Sequence, residues 1–124
     1  MRILIADDQT KVRFALRVLL QRQPAFEVVG EAANAEELCD QAEADCPDIV
    51  LLDWELPGLA PGELLASLRR ICPDVAVIAL SGRLEARQMV LDAGVDAFVC
   101  KCDSPQQLLK AIEQCKPIEQ ESLR

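Results

Sequence analysis

Short apolar runs alternate with longer segments of helical periodicity along the chain. The apolar runs are rich in Ile, Val and Leu, which is typical of buried strands. They cover residues 3–6, 26–31, 49–52, 75–80 and 97–100. Between them, apolar positions recur at intervals of three and four, as on one face of an amphipathic helix. Strands that alternate with helices predict an α/β domain whose parallel sheet is covered on both faces.

The five segments between and after the strands each have a predicted apolar helix face. In chain order the face residues are Val12, Ala15, Leu16, Leu19 and Leu20; Leu38 and Ala42; Leu64, Leu65 and Leu68; Met89, Val90 and Ala93; and Leu108, Leu109 and Ile112. Asn34 with Glu37, and Ser104 with Gln107, have the spacing of capping boxes at helix starts. Gly94 is placed to close the fourth helix.

Length, composition and charge limit the classes of protein to consider. The 124 residues suffice for one domain with its own core, and 51% hydrophobic with 27% charged residues is typical of a globular chain. A net charge of −8 argues against direct binding of a nucleic-acid backbone by this domain. No apolar run reaches the ~18 residues of a membrane span, and the amino terminus shows no signal-peptide pattern. We therefore expect a cytoplasmic protein that makes no membrane contact.

The six cysteines lie at positions 39, 46, 72, 100, 102 and 115. They form no CxxC pair, and the chain has no histidine that would complete a mixed zinc site. We expect most of them to be small core residues. A thiol sensor at Cys100 and Cys102, which flank Lys101, stays open as an alternative.

Polar side chains stand at the carboxyl ends of four predicted strands. Asp7 and Asp8 follow the first, Asp53 the third, Ser81 the fourth and Lys101 the fifth. Ligands of open α/β sheets bind outside these strand ends, so the five side chains are expected to meet. Clustered carboxylates suit Mg²⁺, and a carboxylate can attack phosphorus to form an acyl phosphate. Each residue alone has an ordinary structural explanation; their joint occurrence predicts a phosphoryl-transfer site.

The sequence at these strand ends resembles the chemotaxis-regulator-like receiver domains of two-component response regulators. The resemblance rests on Ile3-Leu4-Ile5-Ala6-Asp7-Asp8, Asp48-Ile49-Val50-Leu51-Leu52-Asp53, Leu56-Pro57-Gly58, Val77-Ile78-Ala79-Leu80-Ser81 and Phe98-Val99-Cys100-Lys101. Ser104-Pro105, at the start of the last helix, is most similar to the nitrate-response type, which carries a helix-turn-helix output domain. The resemblance implies a doubly wound (βα)5 flavodoxin-like three-layer sandwich with strand order 2-1-3-4-5. It further implies a receiver domain over residues 1–116, followed at 117–124 by a tail or the start of a linker to an output domain.

By this resemblance, Asp53 is the phosphoacceptor. Asp8 and Asp53 would bind Mg²⁺, Asp7 would act largely through metal-bound water, and the backbone carbonyl of Glu55 would complete the protein ligands. Lys101 would hold one phosphoryl oxygen. Two further implied roles concern the switch: Ser81 would move to bind another phosphoryl oxygen, and Phe98 would turn inward as it does so. Simple core packing explains Phe98 nearly as well.

The resemblance also implies partners and a mode of action. The chain would be a signalling switch, not an enzyme with turnover, and would receive its phosphoryl group from a sensor histidine kinase or a phosphotransfer protein. A homodimer would form through the fourth helix, fifth strand and fifth helix. DNA would be contacted only through an output domain, and the output would be transcription.

Four positions depart from the family's pattern or modulate it. Cys102 follows Lys101 where many members have a proline after a cis peptide bond, so the state of this bond is open. Pro61 stands where a glycine is usual and is expected to reshape the start of the third helix. Glu55 and Arg83 occupy positions that tune phosphoryl lifetime, and their opposite charges predict an ion pair across the site mouth.

Other functions remain open from the sequence. A degenerate receiver would act only as a protein-interaction module. A phosphatase of the haloacid-dehalogenase type would also use a strand-end aspartate, and Asp53-Trp54-Glu55 offers its second acid two residues later. A flavodoxin-like cofactor binder is disfavoured, because no glycine-rich phosphate loop follows the first strand.

Overall fold

Strands and helices alternate along residues 1–115, the part of the chain that the computed structural model describes. The strands are β1 (Arg2–Ala6), β2 (Glu27–Ala32), β3 (Ile49–Asp53), β4 (Ala76–Ser81) and β5 (Ala97–Cys100). The helices are α1 (Thr10–Gln21), α2 (Ala35–Ala44), α3 (Pro61–Ile71), α4 (Arg87–Asp92) and α5 (Pro105–Gln114). A 3-10 turn, Leu84–Ala86, runs directly into α4. Each predicted strand boundary agrees with the structure to within one residue; the tail predicted at 117–124 lies outside the described residues.

The five strands form one parallel sheet in the order β2-β1-β3-β4-β5, as predicted. Every residue of the central strand β3 is buried, because helices cover both of its faces. Its side chains alternate between the two cores: Ile49 and Leu51 join one, and Val50 and Leu52 the other. The first core contains buried residues of α1 and α5, and the second those of α2, α3 and α4. The chain is therefore a three-layer sandwich.

Two predicted helix starts differ in how they are capped. At α2, the Asn34 side chain accepts a hydrogen bond from the N–H of Glu37 at 2.9 Å, as a capping box requires. The carboxylate of Glu37 reaches back to the N–H of Ala33 at 2.8 Å rather than to Asn34. The capping box predicted at Ser104 is wrong: Ser104 is the N-cap of α5, but its side chain makes no capping bond. Pro105 occupies the first turn and has no N–H to satisfy there, so less depends on that bond.

The predicted apolar faces are confirmed for α2 and α3 and only in part elsewhere. Met89 was predicted to pack inward but is 63% exposed, whereas its neighbour Val90 is fully buried. Successive helical residues point about 100° apart, so this six-residue helix turns only one of the two toward the core. On α1, Ala15 is exposed and Leu20 alone is fully buried.

A side-chain clamp joins the end of α3 to the turn before β5. The guanidinium of Arg69 donates to the carbonyl oxygens of Val75 at 3.0 Å and Gly94 at 2.8 Å, and to the carboxylate of Asp96 at 3.0 Å. That carboxylate in turn accepts the N–H of Val77 at 2.7 Å. Gly94 has φ +107, the left-handed conformation expected of a residue that closes a helix.

The cysteines are arranged differently from the predicted set of small core residues. Cys46 pairs with Cys72 in a disulfide that joins the loop before β3 to the end of α3, and Cys100 pairs with Cys102. Cys72 and Cys100 do lie in the core, but their partners are exposed. Sequence spacing carries no information on which strand ends and helix ends come together, which is why these pairs were not predicted. Cys39 and Cys115 are free thiols of intermediate exposure.

No helix among residues 1–115 is long and apolar enough to cross a membrane.

Candidate functional site

The polar side chains predicted to meet do gather at the carboxyl edge of the sheet. Asp53 is the last residue of β3, and Asp7 directly follows β1; they are 3% and 0% exposed. Asp8 is exposed at the rim. Ser81 ends β4 and is 2% exposed, while Lys101 directly follows β5. Parallel strands bring these residues together because all their carboxyl ends lie at one edge.

Three carboxylates form the centre of the site. Oxygen atoms of Asp7, Asp8 and Asp53 all lie within 4.8 Å of one another. Two of these groups are buried, so their mutual repulsion is weakly screened by water. A set of hard oxygen ligands with one side open to solvent fits Mg²⁺, which keeps several waters when protein bound. The residues present therefore suit a divalent cation of this kind.

Lys101 supplies the positive charge of the site. Its ammonium lies 2.8 Å from Oδ2 of Asp7 and 3.4 Å from Oδ1 of Asp53, and its side chain is 28% exposed. Its backbone N–H donates to the carbonyl oxygen of Ser81 at 2.8 Å, which fixes where the side chain starts. Burial alone would lower the pKa of Lys101, but its bond to Asp7 and the charges of Asp53 and Asp7 outweigh that effect and raise it.

The Asp53 carboxyl group has opposing influences on its ionisation. Burial, and to a lesser degree the neighbouring charge of Asp7, raise its pKa. The N–H of Glu55, which donates to Oδ1 at 3.0 Å, and the ammonium of Lys101 act in the opposite direction without cancelling the rise. A carboxylate held in this way can act as a nucleophile toward an electrophile such as phosphorus.

Arg13 is a site residue that sequence reasoning missed. Its guanidinium donates to the backbone carbonyl oxygen of Asp7 at 2.6 Å and to Glu31 at 3.0 Å. The Asp7 carboxylate is also fixed, since Oδ1 accepts the N–H of Gln9 at 2.8 Å. The signal available in the sequence was an arginine in the first turn of a helix that follows two aspartates.

The ion pair predicted between Glu55 and Arg83 is wrong. Nε of Arg83 lies 3.5 Å from Oε2 of Glu85, two residues later in the chain, and Glu55 is exposed. The Arg83 backbone N–H instead donates to the Ser81 hydroxyl oxygen at 3.1 Å. A nearby partner in the same loop needs less ordering than one across the site, which explains the choice.

Comparison with known proteins agrees with this geometry. The family model described as the response regulator receiver domain matches residues 3–113. The chain belongs to the response regulator receiver domain family. It is 35% identical over 114 residues to the nitrate/nitrite response regulator protein NarL of Escherichia coli. The aligned region covers 90% of this chain and 53% of NarL. The chain thus spans about half the length of that curated relative.

Solved structures of receiver domains have the same fold. A two-component response regulator of the LuxR family from Aurantimonas superposes with a TM-score of 0.83 at 31% identity, covering 91% of this chain and 82% of that one. A CheY-like response regulator receiver domain protein from Methanospirillum hungatei gives a TM-score of 0.81 at 32% identity and covers 97% of each chain. This chain is therefore a response regulator receiver domain, and its relatives include regulators of the NarL and LuxR type.

Phe98 faces the interior of this receiver domain. Its side chain is 6% exposed and packs in the core beneath α4, while the guanidinium carbon of Arg87 lies 5.8 Å from its ring centroid. Core packing explains this position, and the role of Phe98 as a switch residue stays a prediction.

The departures from the family's pattern have limited structural effect in this receiver domain. The Lys101–Cys102 bond is trans, as are the other peptide bonds of residues 1–115. Pro61 is accommodated in the first turn of α3 behind Ala60, which makes no side-chain cap. Gly58, in the loop between β3 and α3, has φ +120, and a Cβ there would lie 2.9 Å from that of Ala35. This glycine lets the loop that follows Asp53 pack against the start of α2.

Proposed function

We propose that this receiver domain accepts a phosphoryl group on Asp53 in a two-component phosphorelay, with Mg²⁺, and changes conformation to control an output. One observation carries the proposal. Three carboxylates lie within 4.8 Å of one another, and the ammonium of Lys101 lies 3.4 Å from the central one, Asp53. A buried cluster of this charge has little structural use unless a cation and an anionic group are to be bound there.

In this proposal the acidic residues hold the cation. Asp8 and Asp53 would ligate Mg²⁺, Asp7 would act largely through metal-bound water, and the backbone carbonyl of Glu55 would complete the protein ligands. Receiver domains bind Mg²⁺ at such an acidic pocket. When bound, the ion neutralises charge on the phosphoryl oxygens and lets an anionic donor approach the cluster.

The chain's own residues perform the transfer. A carboxylate oxygen of Asp53 attacks the phosphorus of a phosphohistidine, and the P–N bond breaks as the new P–O bond forms. Lys101, already beside Asp53, holds one phosphoryl oxygen. Ser81 moves to bind another, which requires its hydroxyl to leave the N–H of Arg83. Glu55 and Arg83 stand near enough to the mouth to tune the phosphoryl lifetime separately.

The phosphoryl donor is a sensor histidine kinase or a phosphotransfer protein, since the chain has no histidine of its own. Ser81 and Phe98 couple the site to α4, β5 and α5, where a homodimer forms. Output is transcriptional, through a DNA-binding domain of the kind that NarL-type regulators carry, and the acidic receiver itself does not contact DNA. We place this activity in the cytoplasm.

Phosphorylation is tested with a small acyl phosphate. The chain is incubated with acetyl phosphate and Mg²⁺, and its intact mass is recorded. We expect one added phosphoryl group in the wild type and in Asp40→Asn, an exposed α2 control, and none in Asp53→Asn or after chelation. If the wild type gains no phosphoryl group, the proposal is contradicted. That result would favour a degenerate receiver that acts only as a protein-interaction module.

The same site also leaves open a phosphatase of the haloacid-dehalogenase type, because Asp53 and Glu55 are two residues apart. Steady turnover of p-nitrophenyl phosphate would favour that phosphatase. We expect at most stoichiometric modification of the chain, and no sustained release of nitrophenol. The single tryptophan, Trp54, adjoins Asp53, so its fluorescence should respond to the binding of Mg²⁺ and beryllofluoride.

A further inference from the structure

Two cysteines enclose the lysine of the site. Cys100 ends β5 and is 1% exposed, Cys102 is exposed, and Lys101 stands between them. Their Cα atoms are 5.1 Å apart, within the range that a disulfide spans. The residues are held in a turn: the N–H of Cys100 donates to the carboxylate of Asp103 at 3.0 Å, and the N–H of Cys102 points to the Cys100 sulfur at 3.3 Å.

Fold stability does not account for this pair. A disulfide stabilises chiefly by restricting the unfolded chain, and the effect grows with the number of residues enclosed. Cys46 and Cys72 are 26 positions apart, whereas Cys100 and Cys102 are separated by two. The second bond therefore restricts little of the unfolded chain. What it does restrict is the backbone of Lys101.

The structure assigns Cys100 and Cys102 to a thiol–disulfide exchange site that takes a small organic disulfide, and whose closure holds Lys101 on Asp7 and Asp53. The effect on Lys101 rests on the proposed function, whereas the exchange site does not. In the disulfide form, the ammonium of Lys101 lies 2.8 Å from Asp7 and 3.4 Å from Asp53. Closure of the ring is thus compatible with the engaged lysine.

The exchange is balanced in two steps. The exposed Cys102 thiolate attacks one sulfur of the small disulfide, forms a mixed disulfide and expels one thiolate. The Cys100 thiol then loses its proton and attacks the Cys102 sulfur, expelling the second thiolate. The protein loses two electrons and two protons, and the small disulfide is reduced to two thiols.

The two free cysteines are poor competitors for this reagent. Burial, assisted by nearby acidic groups, raises the pKa of both the Cys39 and the Cys115 thiol. A raised pKa reduces the fraction of thiolate, which is the form that attacks a disulfide. Cys102 is exposed, so its thiol is more accessible to this reagent than the thiols of Cys39 and Cys115.

Peptide mapping tests the exchange site directly. The intact chain is reduced, treated with oxidised glutathione, alkylated under denaturing conditions at low pH and digested with trypsin without reduction. Trypsin cuts after Lys101, between the two cysteines, so the disulfide holds peptides 88–101 and 102–110 together. The Cys46–Cys72 bond links peptides 23–69 and 71–83 in the same digest and serves as an internal standard.

We expect the linked 88–101/102–110 species after oxidation and its loss on treatment with dithiothreitol. Cys102→Ser should abolish it, whereas Cys46→Ser should leave it unchanged. Alkylation of both cysteines in the oxidised sample, or a glutathione adduct that stays on Cys102, would overturn the exchange site.

A binding titration tests the consequence for Lys101. Beryllofluoride is titrated with Mg²⁺ into oxidised and reduced protein, and Trp54 fluorescence is followed. We expect the affinity for beryllofluoride to be weaker in the reduced form by roughly fivefold to thirtyfold, the entropic effect of releasing the backbone of one residue. The affinity of Cys102→Ser should equal that of the reduced wild type under both oxidising and reducing conditions. Cys46→Ser should keep the difference in affinity between its oxidised and reduced forms.

Equal affinity in the two redox states would overturn the effect on Lys101. Absence of any response to Mg²⁺ and beryllofluoride in either state would contradict the proposed function and this effect together. The linked peptide would still decide the exchange site by itself.

Discussion

Arg13 donates a hydrogen bond from its guanidinium to the backbone carbonyl oxygen of Asp7 at 2.6 Å. The same guanidinium pairs with Glu31 at 3.0 Å, and Glu31 is also bound by Arg17. The first turn of α1 and the strand β2 therefore hold the turn that carries Asp7 and Asp8. Arg13 touches none of the reacting atoms and acts through the position of this turn.

Replacement of Arg13 by Met should weaken Mg²⁺ binding by about tenfold, the effect typical of groups that orient metal ligands. Arg17→Met is the matched control, because it removes a partner of Glu31 without touching the Asp7 carbonyl. It should stay within about twofold of the wild type. Trp54 fluorescence gives both affinities, and equal losses in the two variants would contradict a positioning role for Arg13.

Asp53→Asn should stabilise the fold when no divalent cation is present. The substitution removes a buried charge whose neighbours include Asp7, and the raised pKa of Asp53 shows that the folded state disfavours its ionised form. We expect the free energy of unfolding in EDTA to rise by about 1–2 kcal/mol. Urea denaturation measures it, with Asp40→Asn, which is exposed and outside the cluster, as the control. A decrease for Asp53→Asn would show that Lys101 already compensates both carboxylates.

The Cys46–Cys72 disulfide should carry most of the stabilisation that the cysteines provide. Its 26-residue separation predicts about 3.5 kcal/mol from the restricted unfolded chain. Cys46 is exposed, so Cys46→Ser removes the bond without a new cavity. Thermal and urea unfolding of oxidised protein should show this loss, and Cys102→Ser should change the midpoint far less. Similar losses in both variants would contradict the loop-length argument.

Glu31 should make the fold sensitive to acid. Burial alone would raise its pKa, but the hydrogen bonds and charges of Arg17 and Arg13 outweigh burial and lower it below 4.5. A lowered pKa means that the folded state favours the carboxylate, so this stabilisation is present above the unfolded pKa and is lost as pH falls through the folded pKa. Glu31→Gln should therefore be less stable than the wild type by about 1 kcal/mol at pH 7. The difference should vanish at pH 2–3; a gap that persists there would point to packing and not to charge.

Much of the site was predictable because a parallel sheet determines where strand ends lie. Asp7, Asp53, Ser81 and Lys101 follow apolar runs, and the sheet brings them to one edge whatever the loops do. Features that depend on loop conformation were not predictable. Arg83 pairs with Glu85 and not with Glu55, and no rule of sequence spacing relates Cys46 to Cys72. Arg13 was missed for the same reason, since its contact with the Asp7 carbonyl depends on how α1 leaves β1.

The Arg69 clamp gives α4 one fixed end and one end that can swing. Gly94 and Asp96, just beyond the carboxyl end of α4, are tied to α3 by two hydrogen bonds from the Arg69 guanidinium. The opposite end begins in the 3-10 turn Leu84–Ala86, where neither helix start has a side-chain cap. Any displacement that starts at Ser81 therefore reaches the free end first and is largest there. A helix held at Gly94 would pivot there, so a small movement of the Ser81 hydroxyl group would be amplified along α4 into a change of surface shape around the exposed Leu84 and Met89.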